Sequence, residues 1–198
     1  MGSSFPAVPV IAACAVILTI PACGSSPSAT DDAGVTPSDG ASVPATFAAV
    51  CLPCHGADAA GTKLGPEIKH PPRDLASWVV RNGRAGTGFP GPMAGYAPGA
   101  ISDAALAAVL DWLTALPRAQ DGQGLYLDFC GNCHGADGLG GIVGQRPAGK
   151  PVAQILAKVR TGHGGAGFAN RTQYMPKLTP ADLSDAELEA IESFLGAR

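Results

Sequence analysis

A five-residue motif that occurs twice in this 198-residue chain is the feature that most constrains its fold. The sequence reads CLPCH at residues 51–55 and CGNCH at residues 130–134, and Gly-Ala-Asp follows both copies. Two cysteines, two intervening residues and a histidine directly after the second cysteine are the attachment signature of c-type haem. The thiols form thioethers with the haem vinyl groups, and the histidine is placed to bind the iron. The sequence therefore predicts two covalently bound c-type haems, held by Cys51, Cys54, His55, Cys130, Cys133 and His134.

The part of the chain that contains these motifs is an internal duplication. The motifs lie 79 residues apart, and the same spacing relates RNG at 81–83 to RTG at 160–162. Further along the chain the spacing grows to 82 residues and relates Met93 to Met175. A repeated sequence of this length predicts a repeated structural unit. The connection between the copies is short and polar, so we expect the two units to pack against each other.

Each unit is predicted to begin and end with a helix. A helix runs into each cysteine pair, and Ser102 is a suitable N-cap for a closing helix that stops at Pro117. The sequence SDAE at 184–187 is a capping-box pattern that opens the other closing helix. The apolar stripes of these two helices comprise Leu106, Val109, Leu110, Leu113, Leu188, Ile191 and Leu195. Because strand-like alternation is absent, we predict an all-α tandem of two small domains with long Gly/Pro-rich loops, at residues 44–118 and 124–198.

The first 43 residues differ in composition from the rest. Residues 5–22 are apolar apart from one threonine, but they contain three prolines and are short for a membrane span. They are typical of a secretory signal, and IPAC at 20–23 resembles the lipobox of bacterial lipoproteins. We therefore expect a signal peptide at 1–23, lipidation at Cys23 and a flexible tether at 24–43, which gives a lipid-anchored periplasmic protein. The alternative is a signal that is cleaved and leaves no anchor.

Composition limits the partners and the stability of the folded part. The formal net charge is −3 and lysines and arginines do not cluster, which argues against nucleic acid or an anionic membrane surface as a partner. Domains of about 75 residues are marginal because they bury little surface. A covalently held haem supplies the missing apolar bulk, so we expect the apoprotein to fold poorly.

The second iron ligand is predicted from the distribution of methionines. Apart from Met1 the chain holds Met93 and Met175, one in each unit, in Gly/Pro-rich loops ahead of a capped helix. A thioether in that position can complete the coordination of the iron opposite the histidine. The alternative ligands are the two remaining histidines, His70 and His163, and a bis-histidine haem would have a lower potential. The repeat does not preserve His163, because Arg84 stands at its equivalent position.

Two other uses of the cysteine pairs are weaker interpretations. A zinc site made from two Cys-X-X-Cys pairs spaces them by about 15–20 residues, which is far less than the spacing here. A thioredoxin-like redox pair needs a βαβ context, and the sequence offers none.

The motif, the distal methionine and a proline after the haem histidine together carry a family resemblance. Both units resemble class I cytochrome c domains over residues 44–198, and the tandem is similar to diheme cytochromes such as cytochrome c4. The resemblance implies that the carbonyl of Pro66 accepts the Nδ1–H of the first histidine and that of Pro147 accepts the second. It also implies contacts between the first and last helix of each unit, through Phe47, Trp112, Tyr126 and Phe194. Gly122 matches the glycine that lets these helices approach, and Val43 stands there in the first unit.

The resemblance implies an exported protein that passes single electrons between two haems and redox protein partners in the cell envelope. With both axial positions filled, the iron offers no site for substrate. The alternative is a small diheme oxidase, peroxidase or thiosulfate-oxidising enzyme, in which His163 would be the candidate distal group. A further alternative is a binding module, such as a gas sensor or the haem-bearing subunit of a larger oxidoreductase.

Overall fold

The computed structural model describes residues 42–86, 88–164, 168 and 174–197. The chain divides into two compact parts, and all of these residues belong to the larger part, Asp32–Arg198, which contains both repeat units. The predicted signal peptide and nearly all of the predicted tether lie outside the described residues. Within the described part no helix is both long and apolar enough to cross a bilayer.

The described residues form helices and loops, and their β-type pairing is limited to two isolated bridges. The all-α prediction is therefore confirmed. The first unit contains a π-helical turn, Phe47–Cys51, and the helices α1 (Leu52–His55), α2 (Arg73–Asn82) and α3 (Asp103–Ala115). The second contains α4 (Gly122–Tyr126), a π-helical turn at Leu127–Gly131, α5 (Asn132–His134), a 3₁₀ turn at Gly141–Val143, α6 (Val152–Thr161) and α7 (Asp185–Gly196).

In both units a π-helical turn contains the first cysteine of the motif. The predicted helices are present, but their last turn widens at Phe47–Cys51 and at Leu127–Gly131. Such turns are rare and occur mostly at functional sites. The widening occurs at nearly the same position in both repeats, so we infer that it helps to place the cysteines of each motif.

The closing helices begin as predicted. The Ser102 hydroxyl accepts from the backbone N–H of Ala105 at 3.1 Å. Ser184 and Glu187 form the complete capping box, since the Ser184 N–H donates to the Glu187 carboxylate at 2.7 Å and Ser184 Oγ accepts from the Glu187 N–H. These caps satisfy helix N–H groups that have no partner within the helix.

Each closing helix packs across the first helix of its unit and builds the core there. The predicted stripes are buried, and the rings of Phe47 and Trp112 lie 4.5 Å apart while those of Tyr126 and Phe194 lie 5.5 Å apart. The predicted aromatic contacts are therefore confirmed. Gly122 permits the close approach in the second unit, because a Cβ there would collide with the Ala190 carbonyl oxygen.

Val43 fills the place of this glycine in the first unit without loss of packing. Its side chain is 1 % exposed and belongs to the first core. The flexible tether predicted at 24–43 therefore ends before Val43, because a residue of such a tether would not be buried in a core.

The two repeats pack against each other, as the short connection between them predicts. His70 of the first repeat stacks on Phe129 of the second, with ring centroids 5.3 Å apart and planes 14° apart. The Arg118 guanidinium lies 4.8 Å from the centre of the same ring. Lys69 pairs with the buried Asp128 carboxylate at 3.8 Å. The contact thus combines a stacked aromatic ring with partly buried charges.

Candidate haem-binding sites

The second cysteine and the histidine of each motif lie in a short helix that is followed by a glycine. α1 and α5 end at His55 and His134, and the next residues, Gly56 and Gly135, have φ values of +79° and +81°. A residue with a Cβ adopts this conformation only with strain, so glycine suits the position. The chain turns away directly after each histidine, and the following loop returns to the imidazole.

His55 is oriented by the loop that follows it. Its Nδ1 donates to the carbonyl oxygen of Pro66 at 2.8 Å, which is the contact that the family resemblance implies. Gly65 allows the close approach, since a Cβ there would lie 3.2 Å from the imidazole Cε1. Burial lowers the pKa of His55, although its bond to Pro66 opposes the effect. The imidazole is therefore neutral and Nε2 is left to bind a metal, which is the form that haem iron requires.

His134 has the same arrangement with a different partner from the predicted one. Its Nδ1 donates to the carbonyl oxygen of Gln145 at 2.7 Å, so the assignment of this role to Pro147 was wrong. Gln145 lies 11 residues after the histidine, as Pro66 does after His55. The acceptor is a peptide carbonyl, which every residue possesses, so its position in the loop matters and the proline side chain does not. Burial also lowers the pKa of His134.

Cys51, Cys54 and Cys130 are free thiols, and Cys54 is exposed. Burial raises the pKa of Cys51 to about 11 and that of Cys130 to about 12. Among the residues that the structure describes, no three His, Cys, Asp or Glu side chains come together as a zinc site requires, and the helical surroundings lack the βαβ context of a thioredoxin-type pair. A pair of cysteines followed directly by an imidazole whose Nδ1 is already hydrogen-bonded fits covalent attachment of haem and ligation of its iron.

Each methionine is fixed by a two-bond backbone bridge to the segment after the middle helix. Met93 exchanges N–H···O=C bonds of 2.8 and 2.9 Å with Arg84, and Met175 exchanges two bonds of 2.9 Å with His163. Met175 also packs against the second core. The structure thus places both methionines equivalently, whereas the rival ligand His70 lies in the contact between the repeats.

Two arginines that the sequence analysis left without a role hold the methionine loops. Arg81 donates to the carbonyls of Tyr96 and Ile101, at 3.0 and 2.8 Å, and pairs with Asp103 at 2.6 Å. In the second unit Arg160 donates to the carbonyls of Leu178 and Leu183, at 2.9 and 2.7 Å, and pairs with Asp185 at 2.5 Å. All three partners in each set are related by the duplication. The shared arginine in RNG and RTG was the signal for them.

These features define the class of the protein. Two haem-attachment helices on an all-helical duplicated body, each with a neutral oriented histidine, are those of a diheme c-type cytochrome. Its two covalently bound haems each gain or lose one electron, so the protein acts in electron transfer.

The family follows from a sequence comparison. Residues 38–113 and 117–195 match a family model described as cytochrome c oxidase, cbb3-type, subunit III, and the chain belongs to this family. No curated protein matches the chain. The two matched segments correspond to the two repeats, which supports one cytochrome c domain in each.

Proposed function

We propose that this protein is an exported electron carrier in which Met93 and Met175 complete the coordination of the two irons, in a tandem of the cytochrome c4 kind. The observation that carries the proposal is the repeated support of the methionine loops. In both units a backbone bridge holds the methionine itself, and an arginine holds the segment that follows it. Loops fixed in this way keep a thioether in place. Iron with both axial positions filled transfers electrons and has no open position for substrate.

The redox partners in this proposal are proteins of the cell envelope. Encounters between redox proteins are typically small and transient, so an exposed haem edge with a polar rim is sufficient. The family description supports a second form of the same function, in which the chain serves as the haem-bearing subunit of an oxidase. Purification from the native membrane distinguishes the forms, because a free carrier elutes alone and a subunit elutes with its complex.

The ligand assignment is tested by spectroscopy of the haem-loaded protein. We expect two haems per chain by pyridine haemochrome, and no binding of carbon monoxide by the reduced wild type. Met175→Ala should open the second haem to carbon monoxide and lower its potential, and Met93→Ala should do the same at the first. His163→Gln is the matched control, because it removes the rival side chain beside Met175. An unchanged spectrum in Met175→Ala, or a changed ligand set in His163→Gln, would overturn the assignment.

The export and anchoring part of the proposal is supported by sequence alone. Residues 1–41 lie outside the described structure, and the apolar stretch at 5–22 followed by IPAC is the supporting observation. Cys23→Ser should release the protein from the membrane fraction, whereas Cys14→Ser, a control within the same segment, should leave it there. Equal release of both variants, or of neither, would contradict lipidation at Cys23.

A further inference from the structure

Asn132 lies inside the second haem-attachment motif, yet its side chain is bonded to the first repeat. Its Nδ2 donates to the carbonyl oxygen of Glu67 at 3.1 Å. Its Oδ1 accepts from the Arg84 guanidinium, which also donates to the Asn132 backbone carbonyl at 2.6 Å. One residue between Cys130 and Cys133 is therefore held from two directions by the other repeat.

Both partners belong to segments that contact the predicted iron ligands of the first haem. Glu67 directly follows Pro66, whose carbonyl oxygen accepts the Nδ1–H of His55. Arg84 is the residue that pairs with Met93 through two backbone hydrogen bonds. Asn132 is thus bonded to the residue next to Pro66, which orients the histidine. It is also bonded directly to Arg84, which positions the methionine.

The duplication shows that this contact is not a general property of the attachment motif. The position equivalent to Asn132 in the first repeat is Pro53, which is exposed and has neither a side-chain amide nor an N–H. The amide is therefore present only in the copy that faces the other repeat. The planar Arg84 guanidinium is bonded to both the side-chain and the backbone oxygen of Asn132. Two such bonds fix both the distance and the relative orientation of the two residues, whereas a single bond leaves the orientation free.

We propose that Asn132 is a positioning residue that fixes the second haem-attachment helix against both ligand loops of the first haem and so couples the two redox sites. The inference rests on the proposed function, because it requires His55 and Met93 to be the iron ligands. Coupling is reciprocal, so the oxidation state of either site changes the affinity of the other for an electron by the same factor. Asn132 makes and breaks no covalent bond in this role, and its amide has no proton that titrates.

The test removes the contact from the second motif and measures the first haem. In Asn132→Ala the amide is lost, and we expect the reduction equilibrium constant of the first haem to change by up to about fivefold, the typical net effect of one hydrogen bond. Pro53→Ala, at the equivalent position of the first motif, is the matched control and should have a smaller effect. The measurement is a spectroelectrochemical titration, in which Met93→Ala and Met175→Ala identify the signal of each haem.

A second variant keeps the attachment motif intact. Arg84→Lys preserves the positive charge but cannot make the paired bonds to Asn132, so it should change the first potential and the interaction between the two sites. If Asn132→Ala and Arg84→Lys change the potential of the second haem only, or of neither haem, the proposal is overturned. Failure of the proposed function is seen separately, as a Met93→Ala variant whose first-haem spectrum does not change. Haem stoichiometry by pyridine haemochrome shows that both sites are loaded in each variant.

Discussion

The arginine that holds each methionine loop leads to a quantitative prediction in the second unit. Arg160→Met keeps most of the apolar stem of the side chain and removes the guanidinium. Two bonds to the carbonyls of Leu178 and Leu183 are then lost, and Leu183 is fully buried. The ion pair with Asp185 is lost as well, but that side chain is 66 % exposed.

The carbonyl bonds dominate the expected cost. A buried carbonyl without a partner costs about 1–3 kcal/mol, whereas an exposed ion pair contributes about 0–1 kcal/mol. We therefore expect Arg160→Met to lower the free energy of unfolding by about 2–4 kcal/mol. For a body of this size that corresponds to a fall in melting temperature of roughly 6–12 °C. Asp185→Asn, which removes only the ion-pair charge, should cost about 0–1 kcal/mol.

The prediction has a local readout as well as a global one. Leu178 lies three residues after Met175, so loss of the guanidinium should let this segment open more often than the rest of the protein. Reduced Arg160→Met should then bind carbon monoxide at the second haem, and Asp185→Asn should not. A thermal melt and a carbon monoxide titration measure the two effects. If Arg160→Met melts and binds carbon monoxide as Asp185→Asn does, the guanidinium does not hold the loop.

Two further predictions concern the helix crossing and the contact between the repeats. Gly122→Ala should destabilise the second unit, because the added Cβ collides with the Ala190 carbonyl oxygen, and Val43→Ala should destabilise the first unit by leaving a cavity in its core. If Gly122→Ala and wild type are equally stable in denaturant unfolding, the helices do not cross as closely as described. Burial, with Asp128 nearby, raises the pKa of Glu67 from 4.5 to about 8. The folded state therefore binds the Glu67 proton more tightly than the unfolded state does, and this proton stabilises the fold at low pH. The stabilisation is lost as pH rises from about 4.5 through 8. Melting temperatures across that range should fall less steeply for Glu67→Gln than for wild type, and parallel pH profiles would exclude the effect.

Local signals in the sequence were sufficient for much of the fold. The helix caps at Ser102 and Ser184 and the apolar stripes depend on neighbours a few residues apart, and the structure confirms them. The aromatic contacts across the helices were available only through the family resemblance, because residues far apart in sequence form them. The assignment of Met93 and Met175 as iron ligands stays a prediction.

Other features of the sites depend on the path of the backbone and cannot be predicted from residue types. Gln145 accepts the His134 hydrogen bond through its peptide carbonyl, and no side-chain type marks such an acceptor. The spacing of 79 residues does relate it to Pro66, so the duplication was a better guide than the search for a proline. The contact of Arg84 with Asn132 joins the two repeats. A sequence pattern that both repeats share gives no information on contacts between them.

The identity of the acceptors behind the two histidines has a consequence for the behaviour of the protein in an acidic or alkaline medium. A carboxylate in that place would gain a proton at low pH and would withdraw electron density from the iron ligand as it did so. The acceptors at Pro66 and Gln145 are peptide carbonyls, which have no proton to gain or lose in this range. The electron-donating strength of each histidine is therefore constant while the surroundings change, and any pH response of the two haems must enter through other groups, such as Glu67.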